Sequence, residues 1–161
     1  MSRLLAIDPG NTESAYVIID TSDCRVIWAE KLDNHTLLDR LLEKSTHYYD
    51  HAVVEMVASY GMAVGREVFD TCVWIGRFDM ACANGWPGHI YRRDVKLHLC
   101  GDSRAKDTNI RQALVDRFAP GQPNHGKGTK ADPGWFYGFR ADIWQAYALA
   151  VYAADTQAAT A

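Results

Sequence analysis

The sequence lacks any continuous apolar run of the roughly 18 to 20 residues that a membrane-spanning helix needs. Its first residues also lack the basic region, the apolar segment and the small-residue cleavage site of a secretory signal. We therefore expect a soluble, cytoplasmic protein with no membrane partner. With 161 residues, 48% of them hydrophobic, the chain is long enough for one buried core and short for two, so a single domain over residues 1–161 is predicted.

Metal-binding spacings of cysteine and histidine are missing too. The four cysteines are far apart and form no Cys-x-x-Cys pair, which argues against a zinc ribbon and a thioredoxin-type redox motif. No pair among the six histidines has an HExxH-like context. We expect the cysteines to be reduced packing residues.

The sequence has no excess of positive charge overall, since its formal net charge is −3. The charge is unevenly distributed, however. Residues 1–90 carry 7 basic and 13 acidic groups, residues 91–140 carry 10 and 5, and residues 141–161 carry 0 and 2. The basic middle region is typical of either a phosphate-facing surface or an ordinary solvated helix face, because sequence-independent affinity for nucleic acid depends on local Lys and Arg.

The hydrophobic pattern predicts an α/β protein. Residues 4–8, 15–20 and 26–31 form three short β-rich runs with turn residues between them, which favours an antiparallel meander. A helix is predicted over 33–49, and the nearly all-apolar run 51–56 is typical of a central strand. The predicted fold is a mixed five-stranded sheet with helices on both faces.

The second half continues this alternation. A long helix is predicted over 62–83 from the spacing of Phe69, Cys72, Val73, Gly76 and Met80. A turn and a strand follow within 85–93, then a helix with Ser103 or Asp107 as candidate N-cap that ends near Phe118. Residues 119–138, rich in Gly, Pro and Lys, are predicted to be a functional loop, and residues 140–156 the last helix, with one packing stripe.

Two carboxylates end the most apolar predicted strands. Asp8 is followed by Pro-Gly, so on its own it is typical of a turn, and Glu55 on its own is typical of a strand exit. If the two strands are neighbours, both carboxylates lie at one edge, where a shared divalent ion would relieve their repulsion and desolvation. Asp142, near the start of the last helix, is a third candidate, although it also suits a helix dipole.

Five segments of the sequence, taken together and in order, resemble the RuvC-type Holliday-junction resolvases of the RNase H-like superfamily, in particular short forms carried by bacteriophages. The segments are AIDPGNTESAY, VVEMVASYGMAVG, YRRDVKLHLCG, AKDTNIRQAL and YGFRADIWQAYALAVYA. The resemblance implies a magnesium-dependent homodimeric endonuclease that makes paired nicks in four-way or branched DNA, in a bacterial or phage-infected cell. It also implies two Mg²⁺ ions, for which Mn²⁺ would substitute, and no nucleotide cofactor.

Carried over by position, the resemblance assigns Asp8, Glu55 and Asp142 as metal ligands and catalytic residues. Better-known relatives have an aspartate where this chain has Gln145. We expect the three carboxylates to suffice, with Gln145 itself or Asp132 as a candidate extra ligand.

The resemblance also suggests residues that contact DNA. Lys96 and Lys106 are similar to basic residues placed near the reacting phosphate, and Lys106 is expected to be catalytic. Further expected phosphate contacts are Arg92, Arg93, Arg104 and Arg111, for which surface salt bridges are the alternative. Tyr60 and Met62 are expected to enter the junction centre, unless Tyr60 packs on the next helix. The dimer is expected to use the apolar surface of Trp74, Ile75 and Phe78.

Of three rival functions, one can be dismissed and two stay open. A sugar-kinase-like domain needs a second lobe, for which 161 residues leave little room. A related nuclease acting on forks, flaps or RNA–DNA hybrids would use the same metal chemistry. A non-catalytic branched-DNA binding protein is kept open by Gln145, because one carboxylate fewer weakens metal affinity.

Overall fold

The structure is a computed structural model that describes residues 2–43, 48–85 and 87–160. Its strands are β1 (Arg3–Asp8), β2 (Glu13–Asp20), β3 (Val26–Asp33), β4 (His51–Met56) and β5 (Gly88–Tyr91). Its helices are α1 (Asn34–Glu43), α2 (Arg66–Ala81), α3 (Arg92–Cys100), α4 (Asp107–Phe118) and α5 (Ile143–Thr160). Within the described ranges, no helix is both long enough and apolar enough to span a bilayer.

The five strands form one mixed sheet in the order β3-β2-β1-β4-β5. The first three strands pair antiparallel, as the short connections predict. β1 and β4 pair in parallel, with Ile7 opposite Val54, and β5 continues in parallel with β4. The predicted mixed sheet is therefore confirmed, and the ends of β1 and β4 are neighbours.

Alternate residues of the central strands face two hydrophobic cores. Leu4 and Ala6 lie in the core beneath α3, α4 and α5. Leu5 and Ile7 lie in the other core, beneath α1 and α2. Because successive side chains of a strand point to opposite faces, the continuously apolar β1 is what a strand covered on both sides requires.

Helix α3 is absent from the sequence-based prediction, which has a strand running through Arg93 and a polar stretch after it. The strand ends at Tyr91, and Arg92 begins the helix. Val95 is the only fully buried residue of α3, so its sequence contains no apolar stripe to reveal it. Gly101, with φ 70°, ends the helix in the left-handed conformation that glycine adopts without strain.

Two other helices are also shorter than predicted. α1 is assigned to Asn34–Glu43. The part of the predicted helix over 44–47 lies outside the described residues, and residues 48–49 are not helical. α2 begins at Arg66 rather than at 62, after an extended Gly65. Met62 and Tyr60 therefore belong to the connection between β4 and α2.

The expected dimer surface on α2 is wrong in its residues. Trp74, Ile75 and Phe78 are buried in the core against α1 and the sheet. The exposed apolar side chains of α2 are instead those whose spacing predicts the helix, among them Phe69, Val73 and Met80. The pattern contains two apolar stripes, and the one with Trp74, Ile75 and Phe78 is the one that packs in the core.

The long loop over 119–138 is confirmed, with one isolated bridge between Gly128 and Pro133 in it. Phe136 and the adjacent Phe139 are almost fully buried and anchor its end in the core. The predicted single stripe on the last helix is wrong, because residues 143–151 are all buried. α5 is a central helix that packs across β1 and β2, so it is apolar on all sides.

Candidate active site

Asp8 and Glu55 come together at one edge of the sheet. Asp8 is the last residue of β1, and Glu55 directly follows Val54 of β4, which pairs with Ile7. The side chains of Asp8 and Glu55 are only 10% and 14% exposed. Parallel pairing of two apolar strands thus places two nearly buried carboxylates side by side, the juxtaposition expected if the strands were neighbours.

The turn after Asp8 is fixed by side-chain hydrogen bonds. The Gly10 N–H donates to Ser14 Oγ (3.1 Å), the Ser14 hydroxyl donates to Asn34 Oδ1 (2.6 Å), and Asn34 Nδ2 donates to the Gly10 carbonyl (2.8 Å). A Cβ atom at Gly10 would lie 2.3 Å from the carbonyl oxygen of Glu13. The Pro-Gly turn is therefore a tightly closed support for the Asp8 carboxylate.

A guanidinium lies between the two carboxylates. Arg92, the first residue of α3, has Nε 3.0 Å from Glu55 Oε1 and Nη2 3.5 Å from Asp8 Oδ1. Its Nη1 lies 3.8 Å from Asp107 Oδ1, at the start of α4. One cation thus contacts three carboxylates from three elements, β1, β4 and α4.

The electrostatics of the pair follow from burial. Burial raises the pKa of Asp8 well above its ordinary value, and the charge of Glu55 raises it further, while Arg92 opposes the change. Burial likewise raises the pKa of Glu55, against the opposing effect of Arg92. Burial alone would lower the pKa of Arg92, but the charges of Glu55 and Asp8 raise it. The guanidinium of Arg92 therefore stays charged. Its single positive charge does not balance the carboxylates around it, so their ionised forms are energetically costly in this buried site.

Asp142 lies close to this pair but is engaged elsewhere. Its Oδ2 is 2.6 Å from Lys31 Nζ, which also lies 3.6 Å from Glu13 Oε2. The charge of Asp142 still contributes to the raised pKa of Asp8. The structure therefore brings Asp8 and Glu55 directly together and leaves Asp142 beside them, paired to a lysine of β3.

A cleft of about 290 Å³ joins the starts of α4 and α5 to Arg92. Asp107, Arg111, Asp142 and Gln145 line it. Gln145 is 9% exposed. Gln145 thus faces the same cleft as Asp142, and Asp107 brings a further carboxylate to it from the opposite side.

The carboxylate oxygens of Asp8 and Glu55 are chemically suited to a divalent ion. Within residues 2–43, 48–85 and 87–160, no group of three or more His, Cys, Asp or Glu side chains is arranged to hold a metal. Asp8 and Glu55 nevertheless converge on one shared cation, the Arg92 guanidinium. Their oxygens are the ligands that Mg²⁺ prefers, and Mg²⁺ commonly uses one or two carboxylates with waters and phosphate. The pair fits such an ion.

The predicted basic residues occupy different surroundings. Lys96 is close enough for its charge to lower the pKa of Glu55, against the larger effect of burial. Lys106 is exposed and precedes α4, where its backbone N–H donates to Asn109 Oδ1 (2.9 Å). Arg104 is exposed beside Asp102, and Arg111 covers the Trp144 ring at 5.0 Å. In the part of the chain that the structure describes, none of these residues is ion-paired with Asp8 or Glu55.

The predicted wedge residues lie on the connection that follows β4. Tyr60 and Met62 are 62% and 76% exposed. Arg93 lies 6.0 Å from the Tyr60 ring. Tyr60 has φ 48°, a left-handed conformation that is unusual for a residue with a side chain. Asp132 lies in another cavity, beside Arg25 and Trp135.

Lys31 has no predicted role at this site, and Asp107 is predicted only as a helix cap. Arg92 is predicted to contact DNA phosphates rather than to lie between carboxylates. The one local sequence feature that points to Asp107 is its position directly after Lys106 in the basic region. An acidic residue there is also typical of a helix N-terminus. Ion pairs between residues far apart in the chain leave no local pattern.

The fold is similar to that of RuvC, and in this chain the carboxylates of Asp8 and Glu55 lie at the ends of β1 and β4. The particular matches are solved structures of RuvC from Thermus thermophilus. One, of the protein alone, has a TM-score of 0.72 and 15% identity, and the match covers 98% of this chain and 97% of that one.

The second is T. thermophilus RuvC in complex with a Holliday junction substrate. It has a TM-score of 0.70 and 16% identity over 99% of this chain and 98% of that one. No protein-family model and no curated protein sequence matches the chain. At such low identity the likeness establishes the fold, and it extends over the whole length of both chains.

Proposed function

We propose that this protein is a divalent-metal-dependent endonuclease that resolves four-way or branched DNA by paired nicks. The observation that carries the proposal is the convergence of Asp8 and Glu55 on one cation at the ends of β1 and β4. That pair lies on a fold similar to a RuvC that was solved with a Holliday junction. Together they support hydrolysis of a phosphodiester rather than binding alone.

The carboxylates would hold the metal. Asp8 and Glu55 would be its first ligands, and Asp142 would join them if released from Lys31. When bound, Mg²⁺ or Mn²⁺, in one or two ions, supplies positive charge to the attacking and leaving oxygens at phosphorus. Burial of Asp8 and Glu55 keeps bulk water from screening that charge. Burial, and after it the charge of Glu55, raises the pKa of Asp8, and a divalent ion would offset both effects.

Basic side chains around the site would hold the DNA backbone. Lys96 and Lys106 are the candidates for the reacting phosphate, with Lys106 in a catalytic role. The outer contacts would come from Arg93, Arg104 and Arg111. Phosphate contacts position the DNA without reading sequence, which suits a protein that selects DNA shape. Tyr60 and Met62, on the exposed connection after β4, would stack on or separate bases at the junction centre.

A homodimer would supply two such sites for paired nicks. Its interface would be the exposed face of α2 that includes Phe69, Val73 and Met80. Leu38 and Leu42 of α1 continue this face as one side of an apolar groove. Contiguous exposed apolar surface is typical of an interaction site.

One observation favours a second function, a branched-DNA binding protein without activity. Arg92 already compensates Asp8 and Glu55, and Asp142 is paired with Lys31, so the site is held together without a metal. A nuclease acting on another substrate, such as forks, flaps or RNA–DNA hybrids, would share the site described.

The test is incubation of the wild-type chain with a labelled four-way junction and Mg²⁺. Paired nicks that disappear in Asp8→Asn and persist in Asp23→Asn would support the nuclease, because Asp23 lies at the opposite end of the sheet, beside Arg25. Binding without nicks, with Asp8→Asn equal to wild type, would favour the binding protein. Faster cleavage of linear duplex, forks or hybrids would favour another substrate.

A further inference from the structure

We propose that Arg92 is a further catalytic residue, whose guanidinium contacts the reacting phosphodiester. The proposal rests on the nuclease function above. It departs from the expectation that Arg92 is one of several outer backbone contacts. It also predicts that the metal and Arg92 compete for the same carboxylates.

The position of Arg92 is the first argument. The residue follows β5 directly, and β5 pairs with β4, so the start of α3 lies beside Glu55. Across the described part of the chain, no other basic side chain is ion-paired with Asp8 or Glu55. Arg92 is therefore the basic group closest to the place where the metal and the phosphate would meet.

An unused hydrogen-bond donor is the second argument. Arg92 Nε is buried and makes no hydrogen bond, although it lies 3.0 Å from Glu55 Oε1, so the pair is a Coulombic contact with poor hydrogen-bond geometry. A guanidinium has five N–H donors in a planar fork, which matches the oxygens of a phosphate. A buried donor without an acceptor is costly, and a phosphate oxygen in the site would satisfy it.

The surroundings of Arg92 are the third argument. Its side chain is 34% exposed, whereas Lys106 is an exposed residue. A partly buried cation acts more strongly on charge that develops in a transition state than a solvated one does. Asp107 contacts the guanidinium from the cleft side and would retain it when the metal takes Asp8 and Glu55.

The experiment compares wild type with Arg92→Gln and Arg92→Lys, using Arg25→Gln as the matched control. Arg25 precedes β3 at the opposite end of the sheet from Asp8, where it pairs with Asp23. Three quantities are measured on the full chain: the single-turnover nicking rate with Mg²⁺ at saturating four-way junction, the junction Kd with Ca²⁺, and Mn²⁺ binding by calorimetry. Circular dichroism verifies that each variant is folded.

Arg92→Gln is expected to slow nicking about 10²- to 10³-fold, the usual effect of removing one transition-state donor. Its junction Kd should stay within about threefold of wild type, and its Mn²⁺ affinity should be equal or higher because the competing cation is gone. Arg92→Lys should nick at an intermediate rate, since it retains charge but not the fork. Arg25→Gln should match wild type in all three quantities.

Nicking by Arg92→Gln within about tenfold of wild type would overturn the proposal. So would weaker Mn²⁺ binding in both Arg92 variants, because Arg92 would then be a structural brace of the carboxylates. If Arg92→Gln does not fold, Arg92→Lys decides by the same criteria. Absence of nicking by wild type would overturn the nuclease function itself, a result distinct from an active wild type with an active Arg92→Gln.

Discussion

Lys31 Nζ lies 2.6 Å from Asp142 Oδ2, so a strand at the edge of the sheet binds the carboxylate that precedes the last helix. The Lys31 side chain is 30% exposed and Asp142 is 50% exposed. Solvent therefore screens the pair, and its contribution to stability is at most about 1 kcal/mol. A contact this weak can yield to a divalent ion.

Lys31→Gln is accordingly expected to tighten Mn²⁺ binding by roughly two- to fivefold, because Asp142 no longer has to leave a lysine. Calorimetric titration of the metal measures this directly. The matched control is Arg25→Gln, which removes a positive charge at the far end of the sheet. Weaker binding in Lys31→Gln than in the control would mean that Lys31 positions Asp142 for the metal.

The raised pKa of Asp8 predicts a pH-dependent stability of the metal-free protein. The folded state holds this proton more tightly than the unfolded chain, so protonation stabilises the fold. That stability is lost as pH rises from the ordinary value of 3.8 through the raised pKa.

Asp8→Asn removes the buried charge and should increase the free energy of unfolding at pH 7 by about 1 kcal/mol. Urea titrations of both proteins in EDTA, from pH 4 to pH 8, measure the difference. The advantage of the variant should grow with pH and be smallest at pH 4. A difference that is constant with pH would contradict the prediction.

Exposure of Tyr60 predicts an effect on binding without one on folding. Tyr60→Ala should leave the melting temperature unchanged and weaken junction binding by about 1–3 kcal/mol, the usual value of a base stacked on an aromatic ring. Gel-shift titration with Ca²⁺ measures the Kd. Tyr48→Ala is the control, since Tyr48 is also 65% exposed but lies before β4, at the opposite end of that strand. Equal effects of the two variants would remove Tyr60 from the DNA surface.

The two faces of α2 give opposite predictions. Val73→Lys together with Met80→Lys should leave the monomer folded and prevent association, because both side chains are exposed. Phe78→Ala should instead destabilise the fold by about 3–5 kcal/mol, because Phe78 is completely buried. Sedimentation velocity and urea denaturation distinguish these outcomes. A wild-type chain that is monomeric at micromolar concentration would contradict the proposed dimer.

Local patterns predicted the fold well where one strand or helix has one dominant face or is apolar throughout. β4 could be recognised as a central strand and β1 as a short strand of a meander, so Asp8 and Glu55 could be expected at one edge only on the condition that the two strands are neighbours. α3 could not be recognised, because a single buried residue, Val95, leaves no periodicity. The stripes of α2 could be detected but not assigned to core or solvent, since both are apolar.

The site was only half predictable for a related reason. Asp8 and Glu55 can be recognised because each carboxylate lies at the end of an apolar strand, where burial conflicts with its charge. That conflict is visible in the sequence alone. Their partners Arg92 and Lys31 belong to elements that meet them only in the folded chain. The distances between elements depend on how the helices pack. An Arg or a Lys in the sequence is equally compatible with an ion pair to a carboxylate and with a contact to a phosphate.

The dispersal of the site over β1, β4, α3 and the residue before α5 means that no single segment of the chain carries it. A chain cut between β4 and α5 would keep Asp8 and Glu55 but lose Asp142. Under the proposed nuclease function, such a fragment that kept the basic middle region would bind DNA without cutting it, a safeguard that a site contained in one short segment would lack.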